Sequence, residues 1–408
     1  MFFNVVSRKD FLLHCSTFPH TPKESVPLEE ATGRPLASDV VSQEHLPLTS
    51  RSCMDGYALQ AKDIFGAGES NPAYLELQAE IEIDAFPEFT LKPGHCARIP
   101  TGGCLPANAN AVIMIEHTHD MGGTIEIRKS VAPYENVMHR GEDAEPGQTV
   151  LTAGTRLRVQ DAGLLAALGI GEVTVHQRPK LAVLSTGNEV VPVQNVPRPG
   201  QVRDVNSFSI RALARQAGAE AHFLGIVPDK ADALRQAMKH ALAEHDAVFL
   251  SGGSSVGTRD LTVEVLEDLP DTEILVHGVA MSPGKPTILA RQGHKAILGL
   301  PGQTASAHVV MLMLGLPLLR SLEADADAAT PERFPVRAEL TRNIASRQGR
   351  EDFIRVRLEP RPDDLPLAHP VPGRSGLMRT LLQSHGLAAI PASSEGLYQG
   401  QHVNVLTY

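Results

Sequence analysis

The spacing of apolar residues changes several times along the chain and predicts segments of different structure. Between residues 46 and 135, short runs of β-prone residues are separated by Gly and Pro, which is typical of strands joined by turns. These runs cover residues 74–83, 96–99, 111–115 and 124–128. The stretch is therefore predicted to be a mostly β domain.

Helical patterns lie on both sides of this β domain. They predict helices at residues 8–15 and 159–168, and a further helix that starts near residues 27–33. Segments 1–45 and 136–178 are expected to pair as one elongated, discontinuous linker domain, with the β domain at 46–135 inserted between its two parts.

Residues 179–325 alternate fully apolar runs with helical patterns. Buried strands are predicted at residues 181–184, 221–227 and 247–250, with further β runs at 274–276, 287–290 and 295–298. Helices are predicted at residues 207–216, 231–245 and 304–322. Continuous apolar strands that alternate with helices favour a doubly wound, three-layer α/β domain around a parallel sheet.

Two details of this α/β domain bear on a ligand site. Asn206 is expected to cap the helix at 207–216, and Gly218 to end it. In doubly wound sheets, ligands bind beyond the carboxyl ends of the strands. Strands 181–184 and 247–250 are each followed by small polar residues, so a binding cleft is expected there.

The last part of the chain is predicted to be a small β domain. Alternating runs at residues 353–358 and 402–406 lie within residues 332–408, after an acidic, Ala-rich linker at 323–331. The predicted fold class is therefore α/β plus β, in a multidomain chain.

Composition narrows the functional classes. The 408 residues carry a formal net charge of −10 and no block of Lys or Arg, which disfavours a nucleic-acid partner. The four cysteines are scattered and form no CxxC pair, which fits a reducing cytoplasm. The longest apolar run, residues 309–319, is shorter than the roughly 18–20 residues of a membrane span. We expect a cytoplasmic protein with no membrane partner.

The strongest local motif is SGGSSVG at residues 251–257, followed by Asp260. Its glycines and serines allow main-chain N–H groups to approach an anion, and a helix predicted to start near Asp260 would also favour a phosphate. Residues 253–257 also match the G-x-S-x-G elbow of serine hydrolases, with Ser255 as the nucleophile. A ligand-free Gly-rich turn is the third interpretation.

Other motifs follow strands or turns and admit two interpretations each. In STGNE at residues 185–189, Glu189 is either a metal ligand or proton acceptor, or a solvated turn residue. Lys285 in SPGKP is either an anion-binding cation or a surface residue. LPGQ at residues 300–303 offers a helix N-terminus to an anion. Asp55 and the HRGED stretch at 139–143 are either functional or simply turn residues.

Taken in order, these motifs resemble one family. The chain is similar over essentially its whole length to molybdopterin molybdenumtransferases of the MoeA and gephyrin E-domain type. The resemblance rests on SCMDGYA at 52–58, TG at 101–102, GED at 141–143, STGNE at 185–189, DVNS at 204–207, SGG at 251–253 with Val256, Gly257 and Asp260, PGKP at 283–286, and LPG at 300–302.

The resemblance implies a fold, a reaction and partners. It implies a four-domain subunit with a MogA-like α/β domain, in an elongated homodimer whose cleft is closed by the partner's β domain. The family inserts molybdate into adenylylated molybdopterin and releases AMP, with Mg²⁺ or another divalent cation assisting. A MogA-type adenylyltransferase and recipient molybdoenzymes are the further partners implied.

The resemblance also implies roles for individual residues. The metal and acid–base group is expected to contain Asp143, Glu189, Asp229 and Asp260. Asp55 and Thr101 are expected as catalytic contacts from the partner's side, and Lys285 as the cation that holds phosphate or molybdate. The predicted cofactor-binding residues are Ser185, Thr186, Gly187, Asn206, Ser251, Gly252, Gly253, Ser255, Gly257, Pro283, Gly284, Pro301 and Gly302.

The sequence departs from the family pattern at several of these motifs. Met138 and Ser282 stand where the family usually has cations, and Gln303-Thr304 replaces Asn-Pro. Asn188 and Lys230 replace acidic residues. These departures motivate an alternative hypothesis, in which the protein binds or delivers the cofactor without catalysis.

Overall fold

The computed structural model describes residues 5–252, 261–330 and 335–408. It contains two compact units. One consists of Met1–Ser38, Ala153–Arg158 and Glu172–Tyr408, and the other of Asp39–Thr152 and Val159–Gly171. This division assigns parts of the predicted linker domain to both units, and the predicted domain boundaries stay a prediction.

The chain begins with a short helix. Helix α1 (Arg8–Cys15) matches its predicted bounds, and Ser7 caps it by accepting a hydrogen bond from the backbone N–H of Asp10. Strand β1 (Lys23–Pro27) follows, and the predicted second helix is the single turn α2 (Leu28–Ala31).

The second unit is mostly β, as predicted for residues 46–135. Its strands are β2 (Val40–Val41), β3 (Arg51–Ser52), β4 (Gly56–Leu59), β5 (Ala73–Glu80), β6 (His95–Ile99), β7 (Ala111–Met114), β8 (Thr118–Asp120), β9 (Thr124–Ile127), β10 (Val137–Met138) and β11 (Thr149–Leu151). Six of them form a sheet in the order β7-β4-β6-β5-β9-β8, and β3 pairs with β10 and β2 with β11. Short 3₁₀ turns occupy Ala61–Ile64 and Ile115–His117, and helix α3 (Val159–Ala167) completes the unit.

The first unit resumes with strand β12 (Glu172–His176). It pairs antiparallel with β1, with Ser25 opposite Thr174. This pairing brings together the segments that precede and follow the second unit in the sequence.

The α/β domain contains most of the buried core. Its strands are β13 (Lys180–Thr186), β14 (Val190–Val191), β15 (Val202–Arg203), β16 (Glu220–Val227), β17 (Ala247–Ser251), β18 (Thr272–His277), β19 (Met281–Ser282), β20 (Ile288–Gln292) and β21 (Lys295–Leu300). Its helices are α4 (Asn206–Gln216), α5 (Ala231–Glu244), α6 (Leu261–Asp268), α7 (Thr304–Val310) and α8 (Leu316–Leu322), with a π-helical turn at Met311–Gly315 between the last two. Separate apolar clusters cover the two faces of the sheet, as a three-layer domain requires.

The main sheet is mixed rather than wholly parallel. Its order is β16-β13-β17-β21-β20-β18, and the first four strands are parallel. The prediction was wrong for β20, which runs antiparallel to both of its neighbours, β21 and β18. Strands β20 and β21 form a hairpin with Gly293-His294 at its turn, and such a short connection permits only an antiparallel pair.

The predicted long apolar helix runs through α7, the π turn and α8. It is long and apolar enough to cross a membrane, but 83% of its most apolar stretch is buried inside the protein. Helix α1 packs against it, and Phe11 is fully buried. We therefore interpret it as the core helix of the α/β domain.

The C-terminal β domain is a closed barrel. Its strands are β22 (Val336–Leu340), β23 (Ile344–Ala345), β24 (Glu351–Arg361), β25 (Asp364–Pro370), β26 (Gly386–Ile390), β27 (Gly396–Leu397) and β28 (His402–Thr407), and helix α9 (Met378–Leu382) precedes β26. The ring runs β24-β25-β22-β28-β26 and closes by pairing of β26 with β24. Strand β19 of the α/β domain adds to β24 in parallel, with Ser282 opposite Asp352.

Candidate functional site

Three neighbouring parallel strands of the α/β domain end at the same edge of the sheet. Ser185 of β13 is in register with Ser251 of β17, and Ser251 is in register with Leu300 of β21. The polar residues that follow these strands are therefore brought together, as we expected from the sequence.

A cleft of about 540 Å³ opens at this edge. Predicted site residues in its wall are Ser185, Thr186, Glu189, Asn206, Ser251, Gly252 and Gly302. Gln303 and Thr304, two of the departures from the family pattern, also line it, as do Gly376 and Met378 from the C-terminal part of the chain. The cleft therefore combines the strand ends with residues that follow the barrel's β25.

Gly252 is held in close contact with the neighbouring strand end. Its φ is +109°, and a Cβ atom built on it would lie 2.4 Å from the carbonyl oxygen of Thr186. Its Cα also lies 3.5 Å from a Cβ built on Gly302. Glycine at 252 thus lets the loops after β13, β17 and β21 pack backbone to backbone.

Asn206 does not cap helix α4, so that prediction was wrong. Asn206 is the first residue of α4, and the carboxylate of Asp204 accepts the backbone N–H of Ser207 at 3.2 Å instead. The side chain of Asn206 is turned toward the strand ends, where its Nδ2 donates to Ser251 Oγ at 2.7 Å and to the carbonyl oxygen of Gly302 at 2.8 Å. An Asx residue before a helix is an ordinary capping signal, and only the fold decides which of two candidates caps.

Asp204 belongs to the DVNS motif, but no role in the site was predicted for it from the sequence. Its side chain is buried, and Oδ1 accepts the hydroxyl of Ser185 at 3.0 Å. The Asp-x-Asn spacing before a predicted helix was the available signal. Together Asp204 and Asn206 connect the amino end of α4 to the strand ends of β13, β17 and β21.

Glu189 and Asp229 lie on neighbouring loops. The backbone N–H of Asn188 donates to Asp229 Oδ2 at 3.1 Å, and the backbone N–H of Asp229 donates to Asn188 Oδ1 at 3.2 Å. Both acidic side chains are exposed. Within residues 5–252, 261–330 and 335–408, no group of three or more His, Cys, Asp or Glu side chains is arranged to hold a metal ion.

Part of the predicted site lies outside the described residues. This applies to Gly253, Ser255, Gly257 and Asp260. The predicted phosphate loop, the serine-hydrolase hypothesis for Ser255 and the metal role of Asp260 therefore stay predictions.

The second unit contains three of the predicted catalytic residues. Asp55 Oδ1 accepts the backbone N–H of Thr101 at 2.7 Å and the Thr101 hydroxyl at 3.1 Å. The backbone hydrogen bond from Thr101 is the main reason that the pKa of Asp55 lies below its ordinary value. Asp143 is exposed in the loop after β10, where its backbone N–H donates to the carbonyl oxygen of Leu46.

The Pro-Gly-Lys motif lies next to a second cavity. Gly284 packs so tightly that a Cβ atom on it would lie 2.6 Å from Val310 Cγ2. Lys285 is exposed and is not part of the wall of the strand-end cleft. Ser282 and Pro283 instead line a cavity of about 460 Å³ between the α/β domain and the barrel.

This second cavity is lined by two arginines that sequence reasoning missed. Arg355 Nη2 donates to the carbonyl oxygen of Gly373 at 2.8 Å, while its Nη1 is buried and has no hydrogen-bond partner among the described residues. Burial lowers the pKa of Arg355. Arg342 Nη2 donates to the carbonyl oxygen of Pro370 at 3.1 Å. A half-buried guanidinium with an Nη1 unpaired within the described part of the chain favours an anion in this cavity.

Among the described residues that line this cavity, one acidic side chain is present, and it is neutralised locally. Asp352 pairs with Arg350 at 2.9 Å and accepts the Ser346 hydroxyl at 2.7 Å. The positive charge of Arg342 and Arg355 is therefore left for a ligand.

A short segment connects the two cavities. The backbone N–H of Ala305 donates to the carbonyl oxygen of Ser375 at 2.8 Å. Gly373 and Ser375 line the arginine cavity, and Gly376 and Met378 line the strand-end cleft. An elongated ligand bound in both would lie along residues 373–378.

The fold and these two cavities define a multidomain α/β protein with a polar cleft at its strand ends and a cationic cavity beside it. Three family models match the chain: "MoeA N-terminal region (domain I and II)" over residues 7–169, "Probable molybdopterin binding domain" over 182–321, and "MoeA C-terminal region (domain IV)" over 337–408.

Relatives and solved structures match over nearly the whole length. A molybdopterin molybdenumtransferase of Nostoc is 34% identical over 94% of this chain and 88% of its own, and that of Bacillus subtilis is 31% identical over 94% and 89%. A crystal structure of the molybdopterin biosynthesis MoeA protein from Pyrococcus horikoshii covers 99% of this chain and 100% of its own, with 29% identity and a TM-score of 0.82. The chain belongs to the MoeA family of molybdopterin molybdenumtransferases. The predicted family and fold class are confirmed.

Proposed function

We propose that the protein inserts molybdate into adenylylated molybdopterin and releases AMP, the last step of molybdenum cofactor assembly. The observation that carries the proposal is the pair of adjoining cavities, one polar at the strand ends and one lined by Arg342 and Arg355. The polar cleft suits a substrate with a polar ring system, and the cavity lined by arginines suits an oxyanion as the second substrate. The full-length similarity to enzymes named for this reaction supports it.

The arginine cavity is the proposed site of the oxyanion. Molybdate is a tetrahedral dianion, and guanidinium groups bind such anions through several N–H donors at once. Ser282, which replaces a usual cation of the family, lies in the wall of this cavity. In the proposal Arg342 and Arg355 supply the charge there, and Lys285 remains a candidate for a phosphate at the rim.

Mg²⁺ is proposed as the assisting ion. Asp143, Glu189, Asp229 and Asp260 are all carboxylates, which are the hard oxygen ligands that Mg²⁺ prefers. The hydrogen bonds between Asn188 and Asp229 keep Asp229 beside the loop that carries Glu189, so two carboxylates on neighbouring loops are available to the ion. When bound, the ion would neutralise phosphate charge as AMP leaves.

The remaining parts of the proposal concern assembly and location. We propose a cytoplasmic homodimer, in which Asp55 and Thr101 reach the partner's cleft. Their mutual hydrogen bonds hold the two loops that carry them in one arrangement. A MogA-type adenylyltransferase would supply the substrate, and molybdoenzymes would receive the product.

The test is a turnover assay with the purified full chain. We expect AMP release and active cofactor when adenylylated molybdopterin, molybdate and Mg²⁺ are supplied together. Arg355→Ala is expected to raise the molybdate concentration needed for half-maximal rate by about tenfold or more, from the loss of a charged hydrogen bond. Arg357→Ala is the matched control, because Arg357 lies on the same strand but is exposed and paired with Glu359 at 3.2 Å.

Two results would overturn the proposal. One is pterin binding without any AMP release, which is the behaviour of a delivery protein. The other is equal molybdate dependence in the two arginine variants, which would remove the role of the cavity.

A further inference from the structure

The two serines at the strand ends have fixed and opposite hydrogen-bonding roles. Ser185 and Ser251 are in register on adjacent parallel strands, so their side chains lie on the same face about 4.8 Å apart in the strand-spacing direction. Both side chains line the strand-end cleft and are nearly buried. Whether each hydroxyl donates or accepts a hydrogen bond to a ligand depends on the protein group to which it is already hydrogen-bonded.

The carboxylate of Asp204 makes Ser185 an acceptor. A carboxylate has no hydrogen to donate, so the 3.0 Å contact requires the Ser185 hydroxyl to donate to Asp204. The single hydroxyl proton of Ser185 is then used, and only oxygen lone pairs remain for a ligand. A phosphate or molybdate oxygen at this position would meet lone pairs and a carboxylate behind them.

The amide of Asn206 makes Ser251 a donor. The carbonyl oxygen of Gly302, 2.8 Å away, can only accept, so the atom that faces it must be Nδ2. Nδ2 therefore also donates its other hydrogen to Ser251 Oγ at 2.7 Å. The hydroxyl proton of Ser251 is left to point at a ligand.

We infer that the hydroxyls of Ser185 and Ser251 hydrogen-bond to the adjacent N–H and C=O groups of a 4-oxo-pteridine ring. Such a ring carries a hydrogen-bond donor, the ring N–H, next to an acceptor, the 4-oxo group. These two groups complement Ser185, which accepts, and Ser251, which donates. In this arrangement Ser185 and Ser251 contact the ring, while Asp204 and Asn206 are positioning residues that set the polarity of the serines. The inference rests on the proposed function and adds where the pterin ring binds and how it is distinguished.

The test compares two ring systems on the same protein. The probes are 6-hydroxymethylpterin and its 2,4-diamino analogue, in which an amino donor replaces the 4-oxo acceptor and N3 loses its hydrogen and becomes an acceptor. The chain contains no Trp, so the pteridine's own fluorescence anisotropy reports binding with little background. We expect the wild-type protein to prefer the 4-oxo ring by about tenfold or more, because both hydrogen bonds of this edge are mismatched in the diamino ring.

Variants assign that preference to the serines. Ser251→Ala and Ser185→Ala are each expected to weaken pterin binding by about tenfold and to reduce the preference, because each removes one of the two contacts to the ring. Asn206→Asp should reverse the polarity of Ser251 and shift the preference toward the diamino ring. Ser209→Ala is the control, since Ser209 is on α4 but outside the wall of this cleft. A merely structural role of Asn206 would lower affinity for both rings alike.

The outcomes separate this inference from the proposed function. A wild-type protein that turns over adenylylated molybdopterin but binds both rings equally would overturn the inference alone, as would an unchanged preference in Ser251→Ala. If Asn206→Asp fails to fold, the two alanine variants still decide. Ring selectivity without AMP release would support the inference and contradict the proposed function.

Discussion

The close contact at Gly252 gives a sharp prediction for the strand-end cleft. Gly252→Ala adds a methyl group 2.4 Å from the carbonyl oxygen of Thr186 and 2.8 Å from its Oγ1, at a φ of +109°. Two costs are expected. A strained φ costs about 1–3 kcal/mol, and the overpacking of a contact that cannot be relieved by a flexible side chain costs about 1–3 kcal/mol more.

Gly225→Ala separates these two costs. Gly225, in β16, has a similar φ of +122°, but a Cβ atom built on it meets no atom of the described residues within 4 Å. We therefore expect about 1–3 kcal/mol of destabilisation for Gly225→Ala and about 2–6 kcal/mol for Gly252→Ala. Gly252 lines the cleft and Gly225 does not, so only the former variant should also lose pterin affinity.

Differential scanning calorimetry with and without a pterin ligand measures both effects. At about 2–4 °C per kcal/mol for a domain of this size, the two variants should differ by several degrees in Tm. Equal Tm values, together with wild-type pterin affinity in Gly252→Ala, would show that the loops after β13 and β17 do not pack as described.

Three further predictions concern charges and a thiol. Arg156→Ala should cost about 3–5 kcal/mol in urea unfolding, because Arg156 pairs with the buried Glu323 at 2.6 Å. Burial raises the pKa of Glu323, and removing its cation raises it further. The decrease in unfolding free energy caused by Arg156→Ala should therefore be larger at pH 8 than at pH 5. A buried carboxyl with a raised pKa destabilises the folded state once the pH exceeds that pKa and the group ionises. Equal decreases at the two pH values would contradict the burial of Glu323. In Thr101→Val, an NMR titration should still find the pKa of Asp55 below its ordinary value, because the backbone hydrogen bond is its largest cause; a return to the ordinary value would refute that cause. Burial raises the pKa of Cys96 to about 12, so Ellman's reagent at pH 8 should leave it unmodified until urea is added. A mixed disulfide mapped to Cys96 itself in the native protein, rather than to the half-buried Cys53, would argue against this burial.

The residues that sequence reasoning located best are those whose role is local. Apolar strands followed by small polar residues placed Ser185, Ser251 and Gly302 at one sheet edge, because parallel strands of a doubly wound sheet end on the same side. The arginine cavity was missed for the opposite reason. Arg342 and Arg355 follow Ser282 by more than fifty positions, and only the pairing of β19 with β24 brings them beside it.

The sequence by itself determined the alternation of strands and helices, the separation into α/β and β parts, and the family, because these depend on hydrophobic period, turn residues and the order of motifs. The tertiary structure decided which side chains face each other. Asp204 rather than Asn206 caps α4, and the freed amide of Asn206 reaches two strand ends. Local propensity favours either residue as a cap, and the choice follows from which buried polar groups need a partner once the strands have been brought together.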